Sequence, residues 1–113
     1  IVHTHAAWSS AWAICGKNIP LCIVEQQEHL GGEIECAPFQ QVGSVGVGTT
    51  VVKALGKTKK AALMGSHGAV AIGVDLDDAF KNAMFLEAVA EKAWLAVQLG
   101  NLCIRDAEDF TEG

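Results

Sequence analysis

The sequence predicts an α/β layered domain. Short apolar runs with β-branched members recur along the chain, an apolar stripe at alternating steps of three and four fills the last third, and glycines mark the boundaries between them. No internal repeat, low-complexity tract or proline-rich linker divides the 113 residues, so residues 1–113 read as one small domain.

Residues 1–5, Ile-Val-His-Thr-His, read as a buried strand. It begins with no initiator methionine, turn or cap, the expectation for a chain whose N-terminal part is missing. Residues 6–15, rich in Ala and Trp, predict a short helix with Ser9 or Ser10 as cap and Gly16 as stop. After Pro20, the run Leu21-Cys22-Ile23-Val24 predicts a second buried strand. Gly31-Gly32 then precedes the alternating stretch 33–37, another short strand, and so makes a flexible segment suited to a ligand.

Glycines crowd residues 42–48. The Gly43-x-x-Gly46-x-Gly48 string invites a dinucleotide reading, but no clear strand leads into it and no convincing acidic partner follows, so that reading is set aside. Residues 49–55 predict a helix closed by Gly56, and residues 61–67 and 69–73 a hairpin or two strand segments joined at His67-Gly68. Asp75, with Asp78 three residues on, predicts the start of the most secure element. From there Ala79, Ala83, Leu86, Ala90, Ala93 and Val97 form a helical stripe that Phe80, Met84 and Trp94 widen, and Gly100 ends it. The acidic tail 101–113 is expected at the surface.

Composition narrows the function. Half the residues are hydrophobic and 13 acidic residues outweigh 8 basic ones, a net charge of −5 that argues against nucleic acid. Apolar stretches break well short of the roughly 20 residues that span a bilayer, so no membrane partner is expected, and no signal peptide is visible. Cys15, Cys22, Cys36 and Cys103 show no C-x-x-C pairing and read as reduced, mostly buried thiols of a cytoplasmic protein.

The chemistry points to three imidazoles. On an extended strand His3 and His5 share one face, and a second strand ending at His67 could supply a third ligand to the same ion. Three neutral imidazoles without an evident fourth protein ligand describe an open zinc site, one that keeps a position for water or substrate.

Ile1-Val2-His3-Thr4-His5, Gly31-Gly32-x-Ile34-x-Cys36-Ala37-Pro38-Phe39 with Gly43-Ser44, His67-Gly68, and Gly73-x-Asp75-Leu76-x-x-Ala79-Phe80 followed by Leu86-Glu87 occur in this order over nearly the whole chain. In these residues the chain resembles the class II aldolase/adducin family, and most of all its L-fuculose-phosphate aldolase branch. The resemblance implies a mixed, largely antiparallel sheet covered by helices, with His3, His5 and His67 binding a divalent metal, Zn2+ or another such as Mn2+. It implies a homotetramer with sites between subunits, acting on a sugar phosphate. The activity implied is that of a lyase cleaving a ketose 1-phosphate to dihydroxyacetone phosphate and an aldehyde.

The alternatives are an L-ribulose-5-phosphate 4-epimerase-like enzyme and a non-catalytic adducin-like interaction module. The family's acid/base glutamate and phosphate pocket are expected upstream of this segment, so no catalytic residue is assigned within it. Gly31 and Gly32 are the candidate substrate-binding residues, and Glu25 and Glu28 the nearest carboxylates that could assist, though both read first as solvated. His29 is expected to be exposed and is not counted as a ligand. The chain departs from the family pattern in having no tyrosine.

Overall fold

In the computed structural model, which describes residues 1–111, the elements follow as β1 (Val2–Thr4), α1 (Ala7–Ile14), α2 (Val24–Leu30), β2 (Cys36–Ala37), α3 (Val45–Leu55), β3 (Ala61–Met64), β4 (Gly68–Ala71) and α4 (Leu76–Leu99), with a 3-10 turn at Ala107–Phe110. One four-stranded sheet has the order β1-β4-β3-β2. β1 and β3 both run antiparallel to β4, and β2 runs parallel to β3. The sheet is mixed and largely antiparallel, as expected.

Alternation along β3 sets the layers. Successive strand side chains point to opposite faces. Ala61 and Leu63 pack with Ala13, Leu30, Leu86, Val89, Ala90 and Ala93 from α1, α2 and α4, whereas Ala62 and Met64 pack with Val51, Ala54 and Leu55 of α3. Helices therefore cover both faces, which is why all four β3 residues are buried and the segment reads as an unbroken apolar run.

α4 begins where the sequence places it. The Asp75 carboxylate accepts the Asp78 N–H at 2.8 Å, and the Asp78 carboxylate accepts the Val74 N–H at 3.0 Å. Ala79, Leu86, Ala90 and Ala93 are buried as the stripe requires, but Val97 is exposed. Phe80 and Met84 do not widen the core: they are 59% and 60% exposed. Each lies one residue past a stripe position, a rotation of about 100° away from the sheet. Two buried residues fall outside the expected stripe, Val89 in the core and Asn82, whose Nδ2–H donates to the Ile72 carbonyl at 2.9 Å.

Residues 21–24 form no strand. Their neighbourhood is organised by the fully buried Gln26, which donates from Nε2 to the Ile19 and Pro20 carbonyls at 3.1 and 3.0 Å and accepts the Cys22 N–H at 3.1 Å. One side chain thus takes main-chain groups that a strand would pair, while Ile19 makes only an isolated antiparallel bridge to Ile34. α2 escapes the sequence reading because its run Val-Glu-Gln-Gln-Glu-His-Leu buries only Gln26 and Leu30.

Two helix starts also differ from expectation. α3 begins at Val45, four residues early, carrying Gly46 and Gly48 inside the helix, because packing of Val51, Ala54 and Leu55 outweighs the glycines' preference for open chain. In α1 neither serine caps: Ala6 holds the N-cap position, and Ser9 is buried within the helix. The tail is mostly exposed, tied by the Arg105 N–H to the Leu21 carbonyl at 2.9 Å and by Leu102 against the core. The part of the expected surface tail at residues 112–113 lies outside the described residues. No helix is long and apolar enough to cross a membrane among the described residues.

Replacing Gln26 by Ala strands several buried main-chain groups and is expected to lower stability by about 2–3 kcal/mol. Gln27→Ala, at a half-buried neighbour, should change it by less than about 0.5 kcal/mol. Urea unfolding of the two variants measures the difference.

Candidate metal centre

The site is built by the β1–β4 pairing. His3 stands opposite Val70, and directly opposed residues of an antiparallel pair share a face. Val70 packs on the α3 side of the sheet, so His3 lies on that side, and His5, two residues on, follows it.

The third imidazole comes from the turn between β3 and β4. That turn is held tightly: Gly65 N–H donates to the Ala37 carbonyl at 2.8 Å, Ser66 N–H to Ala13 at 3.0 Å and His67 N–H to Met64 at 2.9 Å. Ser66 takes the left-handed conformation, φ 54°, to complete it. Gly68 follows at φ 152°, where a side chain would be strained, and a Cβ there would run into the Thr4 carbonyl oxygen and stand 2.9 Å from His5 Cδ2. Only glycine lets β1 lie against the turn.

The three rings form a nearly regular triangle. Their centroids are 4.9 Å (His3–His5), 5.0 Å (His3–His67) and 5.1 Å (His5–His67) apart, with planes at 79°, 88° and 69°. One nitrogen from each lies within 4.8 Å of the others. His3 Nε2 and His5 Nε2 are 3.1 Å apart.

Protonation follows from the partners. His3 Nδ1 is 2.9 Å from the Ala69 carbonyl, which can only accept, so Nδ1 carries the proton and Nε2 keeps its lone pair toward the other rings. Partial burial holds His67 below the ordinary imidazole range, and repulsion from His3 and His5 adds to that. Converging imidazole nitrogens, with His3 and His5 exposed and His67 half-buried, are a donor set for a borderline ion such as zinc.

The other candidates lie elsewhere. Gly31 is the left-handed residue that ends α2, φ 87°, and a Cβ on it would meet the Thr58 carbonyl; Gly32, buried, faces Gln27 and Lys59. Both therefore have a packing role at a helix end. The hollow beside His67 is bordered instead by Pro38, Gln40, Thr50 and Gly65.

Glu25 and Glu28 sit on α2. A hydrogen bond from Lys92, 2.7 Å from its carboxylate, holds Glu25 below the usual carboxylate range and so ionised. Glu28 is exposed. His29 is half-buried, its ring stacked on Phe85 at 3.9 Å. The cysteines are free thiols but less buried than expected: Cys15 and Cys103 are exposed, and Cys22 and Cys36 half-buried. Burial pushes the last two thiols up, with the Glu25 charge adding at Cys22, so they stay protonated and are poor ligands.

Sequence reasoning gave one residue near the site no role. Glu87 of α4 accepts the Trp8 and Ser9 N–H groups at 2.7 and 2.8 Å. The sequence signals were its place in the Leu86-Glu87 pair that the family resemblance includes and an acidic residue beside the buried Leu86.

Gly68→Ala should cost at least about 2 kcal/mol, because backbone strain and a clash with Thr4 coincide. Gly48→Ala, inside α3 with nothing within 4 Å of the new methyl, should gain about 0.5–1 kcal/mol. Thermal unfolding separates the two; equal effects would contradict the close approach of β1.

Residues 1–94 match the family described as class II aldolase and adducin N-terminal domain. The chain is 31% identical over 106 residues to an L-ribulose-5-phosphate 4-epimerase, UlaF, of Salmonella paratyphi C (strain RKS4594), an alignment covering 85% of this chain and 46% of that protein. Its fold is similar to that of a solved L-fuculose 1-phosphate aldolase, with TM-score 0.88 and 21% identity over 96% of this chain and 50% of the other. It is also similar to the L-fuculose-1-phosphate aldolase of Thermus thermophilus, with TM-score 0.73 and 22% identity over 90% of this chain and 56% of the other. The chain spans about half the length of the curated relatives it matches. The family match takes in the whole sheet, the histidine turn and most of α4, and the chain belongs to the class II aldolase and adducin N-terminal domain family.

Proposed function

We propose that His3, His5 and His67 hold a divalent cation, Zn2+ or Mn2+, and that the protein is a metal-dependent lyase. In this reading it cleaves a ketose 1-phosphate, such as L-fuculose 1-phosphate, to dihydroxyacetone phosphate and an aldehyde. The observation that supports it is the convergence of three imidazole nitrogens within 4.8 Å on an open face. A cation bound there supplies Lewis-acid stabilisation of the negative charge that develops on a substrate oxygen as a carbon–carbon bond breaks.

The chain's own residues prepare that site. Ala69 fixes the His3 tautomer so that Nε2 faces the cluster. His67 stays neutral to lower pH than an ordinary imidazole. Glu25 remains ionised against Lys92, and no carboxylate joins the cluster among the described residues, so the proton-transfer step is assigned to no residue here. The same reading has the protein working as a cytoplasmic homotetramer, whose mass sedimentation would measure.

One observation favours a second reading, a sugar-phosphate 4-epimerase: the 31% identical relative carries that name. Both reactions open with cleavage of a carbon–carbon bond and part at the fate of the aldehyde. Product analysis separates them: aldehyde released to solvent supports the lyase, and a ketose inverted at C4 the epimerase. An adducin-like module would turn over neither.

His3→Ala, His5→Ala and His67→Ala should each abolish stoichiometric zinc or manganese binding, read by elemental analysis, while Lys57→Ala should leave it intact. Full metal content in all three histidine variants would overturn the ligand assignment.

Metal affinity should hold above about pH 7 and fall below about pH 6, as protons compete for the imidazoles. In the metal-free protein the sign follows from His67: its folded pKa lies below the unfolded value, so the unfolded chain takes the proton first. Its contribution to stability is thus full above the ordinary imidazole pKa and is lost as pH falls. Melting temperatures across pH 5–8, flanking that value of about 6.5, check the direction.

A further inference from the structure

α1 lies between the two segments that carry the histidines. Its first residue, Ala7, follows His5 by two, and near its far end the Ala13 carbonyl accepts the N–H of Ser66, the residue before His67, at 3.0 Å. Whatever fixes α1 therefore bears on His5 and on His67 together.

α1 has no capping side chain of its own, since Ala6 stands at the N-cap. A helix start leaves N–H groups without intrahelical partners and carries partial positive charge. Glu87, reaching from α4, meets both needs: Oε2 accepts the Trp8 N–H at 2.7 Å and Oε1 accepts the Ser9 N–H at 2.8 Å. Two separate oxygens on two successive N–H groups fix the position and the rotation of the helix end. The remaining hydrogen bond from α1 to α4, Trp12 Nε1–H to the Ala90 carbonyl at 3.0 Å, lies a turn further on and leaves that end untouched.

We propose that Glu87 is a positioning residue for the three-histidine cluster, acting through α1 and not as a ligand. It stands outside the set of converging ligand atoms, so its effect reaches the imidazoles through the Trp8 and Ser9 main chain. The predicted effect on cation affinity rests on the metal reading given above; the arrangement of the rings does not need a cation to be observed.

The experiment compares Glu87→Ala, Glu87→Gln and Trp12→Phe. Trp12→Phe removes the second tie between the same two helices and controls for general loosening. Imidazole 1H–15N spectra of the metal-free protein report ring tautomer and environment, and cobalt titration followed by visible absorption reports affinity and coordination geometry.

Glu87→Ala should shift the His5 and His67 ring signals and weaken cobalt binding at least tenfold with an altered visible spectrum. Glu87→Gln, which keeps one oxygen acceptor, should fall between it and the wild type. Trp12→Phe should leave ring signals and cobalt affinity within twofold of wild type even where its melting temperature drops as far. Should Glu87→Ala not fold, Glu87→Gln against Trp12→Phe decides alone. Unchanged ring signals in the Glu87 variants, or equal changes in Trp12→Phe, would overturn the proposal. A wild-type protein that takes up no cobalt would overturn the metal reading instead, with the ring signals still deciding the role of Glu87.

Discussion

The antiparallel contact between β1 and β4 is the constraint on which the rest depends. It places two histidines from the start of the chain beside a third that lies more than sixty residues away, and it does so only in one register, with His3 opposite Val70. A slip of one residue would turn His3 and His5 to the opposite face, under α1 and α4. Gly68 makes the contact possible at its tightest point, where any side chain would meet Thr4 and His5.

Around that contact, polar side chains acting on the main chain give the layers their definition. Gln26 gathers the residue 19–22 backbone into a loop, Asn82 ties α4 to Ile72 at the end of the sheet, and Glu87 closes the start of α1. Each satisfies main-chain groups that would otherwise lack partners. Apolar packing on both faces of β3 supplies bulk stabilisation, and these bonds select one arrangement from the many that packing alone would allow.

The division between what was legible in the sequence and what was not has the same origin. Periodicity and punctuation expose elements whose own residues encode them: the capped α4, the hairpin through His67-Gly68, the opening strand with its paired histidines. The strand expected at residues 21–24 failed because an apolar run says that a segment is buried but not what its main chain bonds to, and there Gln26 supplied the partners. α2 was hidden by its polar sequence, and the early start of α3 by glycines that packing overrides. The histidine cluster was readable because it needs only a strand and a turn in the right faces; Glu87 was not, since its partners are N–H groups seventy-eight and seventy-nine positions away.

Family membership and local geometry meet at the same three rings. The donor set is fixed on one ring by the Ala69 carbonyl, half-shielded at His67, and exposed at His3 and His5. X-ray absorption at the zinc edge of the zinc-loaded protein tests this most directly. The account predicts a nitrogen and oxygen shell at about 2.0–2.1 Å with the outer-shell scattering of three imidazoles. A sulfur shell near about 2.3 Å, or scattering from fewer than three rings, would contradict it.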